Sequence, residues 1–147
     1  MKHIQVVKIM QVREKVLKYE TKTISDHKTA VEIIRMFLDG VDREHFGVLC
    51  LNAKNNVNAI NTVSVGTVDQ CMISQRECFK PAILSNSVSV IVFHNHPSGD
   101  PIPSSHDIQL TKRIIEGGKI LGIAVHDHII IAENGFYSFR ETKQELF

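Results

Sequence analysis

Residues 87–107 read SVSVIVFHNHPSGDPIPSSHD, and the fold follows from how this stretch is divided. SVSVIVF is a continuous β-branched run, the pattern of a central strand covered on both faces, and it ends at His94. A loop carrying Pro97, Ser98, Gly99, Pro101 and Pro103 comes next. A helix is predicted from near Ser104, with Ile108, Leu110, Thr111, Ile114 and Ile115 inward or flanking and Gly117-Gly118 as its stop. Beyond it, ILGIAV (120–125) and HIIIA (128–132) read as two strands. A turn at Glu133-Asn134-Gly135 and a short FYSF strand follow.

Upstream the same rules give a consistent picture. In SDHKTAVEIIRMFLDG, Ala30, Ile33, Ile34, Phe37 and Leu38 share one helical face, Ser25 or Asp26 caps the start, and Gly40 suits the exit. FGVLCL (46–51) reads as a buried strand, Asn55-Asn56 as a turn, and VNAINTVSVG as the second arm of a hairpin. Ser74 and Glu77 have capping-box spacing for a helix to about Leu84, with Pro81 inside it. The β-branched stretch Ile4–Val12 is predicted to be a strand. Interleaved strands and helices imply an α/β or α+β fold, one mixed sheet with helices against it.

No repeat or linker divides the 147 residues, which read as one domain. The net charge of +1, from 17 basic and 16 acidic side chains, gives no global field toward nucleic acid or an anionic membrane. Nucleic-acid binding is therefore without support from charge. Cys50, Cys71 and Cys78 form no C-x-x-C pair and fit free thiols in a reducing compartment. The N-terminus lacks an apolar signal segment, and no run approaches the ~20 apolar residues of a membrane span. A cytoplasmic protein is expected. No motif specifies an oligomeric state.

Chemistry concentrates at His94, His96 and Asp107. Alternation along a strand puts residues two apart on one side, so both imidazoles face together while Asn95 faces away. Asp107 sits near the third position of the next helix, where a proline-stiffened loop can bring it over the histidines. Two nitrogens and one carboxylate oxygen leave a fourth tetrahedral position open, the pattern of catalytic rather than structural zinc. Alone, an H-x-H pair is a weak signal, and Ser104 with Asp107 reads equally as a helix cap.

The joint spacing, His-x-His, seven residues, Ser, two residues, Asp, is similar to the JAMM (MPN) metalloprotease motif. HNHPSGDPIPS with Asp107, DHIII (127–131), YSF (137–139), VGT (65–67) and QRE (75–77) resembles the RadC-like branch of that superfamily, over roughly Tyr19 to Glu141. The resemblance implies a cytidine-deaminase-like architecture with its core at about 19–141, and Zn2+ held by His94, His96 and Asp107. It implies a glutamate just ahead of an early strand as general base and acid, and Glu44 in REHFGVLCL fits that place better than Glu77. Glu44 would deprotonate a zinc-bound water attacking an amide carbonyl, and Ser104 would help stabilise the oxyanion. The resemblance implies a peptide or an isopeptide-linked protein as substrate, and the residues themselves leave a non-protein amide open as well.

RadC-like chains commonly carry a further N-terminal helix-hairpin-helix region, which is not expected in this sequence. The alternative function is a DNA-repair-associated or protein-binding module with a non-catalytic metal site. A zinc nucleoside deaminase would need H-x-E and P-C-x-x-C, which are not here. His126 and His128 make a second H-x-H without a further ligand, so His128 is expected to support the site or the fold. His3, His27, His45 and His106 are expected at the surface.

Overall fold

The computed structural model describes residues 1–66 and 73–147. Thr67 and Cys71, both used above, lie outside the described residues. The elements run α1 (His27–Phe37), β1 (His45–Leu51), β2 (Val57–Val65), α2 (Gln75–Leu84), β3 (Ser89–Asn95), α3 (Ser105–Leu121), β4 (Ala124–Ala132), β5 (Gly135–Ser138), α4 (Phe139–Thr142), and a 3-10 turn at Gln144–Leu146. One five-stranded mixed sheet has the order β2-β1-β3-β4-β5. Only β3 and β4 pair in parallel, joined through α3, while the other neighbours are antiparallel.

Most elements form for the reasons legible in their residues. Asp26 caps α1 by accepting from the Thr29 N–H at 2.8 Å, and Gly40 leaves with φ +76°. Asn55 takes a left-handed φ of 58° in the β1–β2 hairpin, a conformation Asn tolerates. Ser74 does precede α2, but its side chain makes no cap bond, and Glu77 bonds Lys80 instead. The expected capping box there is not formed. The helix runs on through Pro81 to Leu84.

Alternation in the central strands builds two cores. Phe46, Val48 and Cys50 with Val90 and Val92 face α2 and α3, meeting Cys78, Phe79, Leu110 and Ile114. Leu49, Leu51, Ile91 and Phe93, with Ile129 and Ile131, face α1 through Ala30, Ile33 and Ile34. Cys50 and Cys78 are buried free thiols that burial pushes up to about 12. Among the described residues no helix is long and apolar enough to cross a membrane.

Two further expectations fail. Ile4–Val12 forms no strand: residues 1–19 carry no regular secondary structure, and Ile4, Val6 and Val12 are almost fully exposed. Strand propensity needs a paired neighbour, and among the described residues no strand of the sheet pairs with this stretch. Gly117-Gly118 does not stop α3, which continues to Leu121 and ends at Gly122 (φ +70°), so ILGIAV is not a strand of its own. The glycine at 118 serves close packing instead. A Cβ there would lie 2.4 Å from the Ile123 carbonyl oxygen and 3.0 Å from Val125 Cγ2. Gly118→Ala is expected to destabilise by about 1–3 kcal/mol in denaturant unfolding, overpacking outweighing a helix-propensity gain of about 1 kcal/mol. Wild-type stability in that variant would show that α3 lifts off β4 without penalty.

Candidate metal centre

His94 lies on the α3-facing side of β3 and is completely buried. The β3 backbone keeps its course past Asn95, since the His96 N–H donates to the Ile131 carbonyl at 2.8 Å. His96 therefore returns to the same side, with its Nε2 2.9 Å from that of His94. Asp107 reaches them from the first turn of α3, Oδ1 lying 3.3 Å from His94 Nε2 and Oδ2 3.4 Å from His96 Nε2. A reciprocal capping box aims it: Ser104 Oγ accepts from the Asp107 N–H at 3.1 Å, and the Ser104 N–H donates to Asp107 Oδ2 at 2.8 Å.

Glu44 directly precedes β1, and one carboxylate oxygen lies within 4.8 Å of both histidines' ring nitrogens. Asn95, pointing away from the histidines, grips the backbone on either side of Glu44. Its Oδ1 accepts from the His45 N–H at 2.7 Å, and its Nδ2 donates to the Arg43 carbonyl at 3.0 Å. Glu44, His96, Asp100, Ile102, Ser104 and Asp107 line an open cleft of about 410 Å³.

Behind His94 stands His128, also fully buried, its Nε2 2.8 Å from His94 Nδ1. Its Nδ1 lies 2.6 Å from Thr111 Oγ1, and Thr111 donates to the Asp107 carbonyl at 2.6 Å. His128 stacks on Phe139 with ring centroids 4.8 Å apart.

The RadC-like JAB domain profile matches residues 24–145. The chain belongs to the RadC-like JAB family. Its similar relatives include UPF0758 proteins of Desulforamulus reducens (54% identical over 70% of this chain and 45% of the relative) and Desulfitobacterium hafniense (52%, over 69% and 44%). A Thermotoga maritima UPF0758 protein is 48% identical over 69% of this chain and 46% of its own length. The chain thus spans about half the length of the curated relatives it matches.

The donor set in this RadC-like JAB domain fits a metal ion. Ligand bonds of about 2.0–2.2 Å arranged tetrahedrally put donor atoms roughly 3.3–3.6 Å apart, close to the observed 2.9–3.4 Å. His96 Nδ1 lies 2.9 Å from the Asp100 carbonyl, which only accepts, so Nδ1 holds the proton and Nε2 is the nitrogen offered to the centre. Without an ion, the 2.9 Å contact between the two Nε2 atoms needs a proton on one of them. The hydrogen bond to Asp107 raises the His96 pKa, whereas burial lowers that of His94. Burial alone would raise the Asp107 carboxyl, but its contacts with the two imidazoles and the bond from the Ser104 N–H hold it below the usual range.

Other expected positions divide. His126 is exposed on β4, apart from His128, and among the described residues no second metal cluster forms. Asp127 is structural: it accepts from the Ser138 hydroxyl at 2.6 Å and from the His128 and Arg140 N–H groups, tying DHIII to YSF. His3 is exposed, but His27, His45 and His106 are half-buried rather than at the surface. His27 packs on Phe136, and His106 Nε2 is buried without a hydrogen-bond partner. The roles of Asn95 and Thr111 escaped sequence reading, although Thr111 stands one turn after Asp107.

Proposed function

We propose that this chain is a zinc-dependent amide hydrolase, a metallopeptidase or isopeptidase, with His94, His96 and Asp107 as ligands. The observation that carries this reading is the convergence of His94 Nε2, His96 Nε2 and the two Asp107 carboxylate oxygens, in contacts of 2.9–3.4 Å, beside the Glu44 carboxylate and an open cleft. When bound, zinc would supply Lewis acidity there, polarising a carbonyl and lowering the pKa of water toward ~7. Glu44 takes the proton from the attacking water and returns it to the departing amine. Ser104 Oγ spends a lone pair on the helix cap, which leaves its O–H to donate to the developing oxyanion. The open cleft along Asp100 and Ile102 suits an extended peptide or an isopeptide-linked protein.

The test is a panel of fluorogenic peptide and isopeptide conjugates, assayed with zinc-loaded and chelated protein. Cleavage that vanishes on chelation and returns with zinc is the expected result. Cleavage indifferent to chelation would remove the metal from the mechanism.

A further inference from the structure

We propose that Thr111 and His128 are positioning residues that fix the tautomer of His94, so that its Nε2 offers a bare lone pair to the metal centre. The inference rests on the reading of His94 as a ligand. It follows from counting protons along one buried chain of contacts, starting at the backbone of α3.

The Thr111 hydroxyl has a single proton. Its oxygen lies 2.6 Å from the Asp107 carbonyl oxygen, and two oxygens approach so closely only with a proton between them. That proton is therefore committed to the carbonyl, and toward His128 the hydroxyl can only accept. His128 Nδ1, 2.6 Å away, must then carry a proton. His128 is fully buried beside Phe46 and Phe139, and with no carboxylate bonded to its ring to pair a charge, the ring is neutral. A neutral ring protonated at Nδ1 has a bare Nε2. The 2.8 Å contact to His94 is then a hydrogen bond donated by His94 Nδ1. One proton being spent there, the Nε2 of neutral His94 faces Asp107 and His96 with its lone pair.

Each link has one polarity because an α3 peptide carbonyl cannot donate. Thr111→Val keeps the shape but removes the acceptor, which strands His128 Nδ1–H in an apolar setting. The favoured response moves the His128 proton to Nε2, and His94 must then carry its own on Nε2, where it blocks the ligand position. Thr111→Ser keeps the hydroxyl and should rescue.

Two measurements on the full chain test this. Two-dimensional 1H–15N spectra of the metal-free protein should show His94 and His128 both protonated at Nδ1. Cobalt(II) titrations followed by visible absorption should show affinity about 10–100-fold weaker in Thr111→Val, the usual effect of losing a ligand's supporting partner, and near wild type in Thr111→Ser. His94 protonated at Nε2 in the wild-type spectrum would overturn the inference, even if the valine variant failed to fold. So would unchanged cobalt affinity in a folded valine variant. A wild-type chain that binds no cobalt would instead overturn the ligand assignment, leaving the tautomers to the spectra.

Discussion

Glu44→Gln is expected to lower hydrolysis by roughly 10²–10⁴-fold, the usual worth of general acid–base catalysis, while leaving zinc content and melting temperature as in wild type. The side chains are nearly isosteric, and the backbone at this position is held independently. Asn95 grips the flanking peptide groups, and the Glu44 carbonyl accepts from the Gly66 N–H at 2.8 Å. What the amide loses is the ability to accept a proton. Retained zinc separates this role from direct ligation, which the closeness of the carboxylate to both histidines also permits. Full activity in the glutamine variant would refute the assignment, and lost zinc would make Glu44 a ligand. Elemental analysis beside a progress curve distinguishes the outcomes.

Asp107→Asn should abolish metal retention through dialysis, weakening affinity by more than the ~10–100-fold expected for an outer partner. The amide removes the one negative charge among the three donors yet can still accept from the Ser104 N–H, so the helix start survives. The cores around Phe79 and Ile34 contain none of these groups. The variant and the chelated wild type should therefore both melt cooperatively, the metal contributing only its binding linkage. Unchanged metal content would remove Asp107 from the ligand set. Loss of the cooperative transition would mark the ion as structural.

The parts of this chain legible beforehand are those governed by short-range periodicity. Alternation put His94 and His96 on one side and Asn95 on the other, and a capped amphipathic pattern gave α1. The misreadings concern residues whose meaning comes from distant neighbours. Ile4–Val12 has strand composition but no strand beside it, and Gly118 looks like punctuation until the Ile123 carbonyl is placed against it. His128 comes beside His94 only through the parallel β3–β4 pairing, which no local pattern announces. Thr111 had a usable signal, because residues four apart on a helix share a face with Asp107. Asn95 was seen to point away from the histidines, but its hold on Arg43 and His45 depends on the β1–β3 pairing.

The β3–α3–β4 unit contributes every residue assigned to ion holding, from His94 through Asp107 and Thr111 to His128, whereas Glu44 arrives on a separate piece of chain before β1. Under the roles proposed above, capture and turnover would thus be heritable apart. A lineage that drifted at Glu44 alone would keep an ion-bearing scaffold without a reaction, free to be kept for recognition, and one reverse change would restore the enzyme.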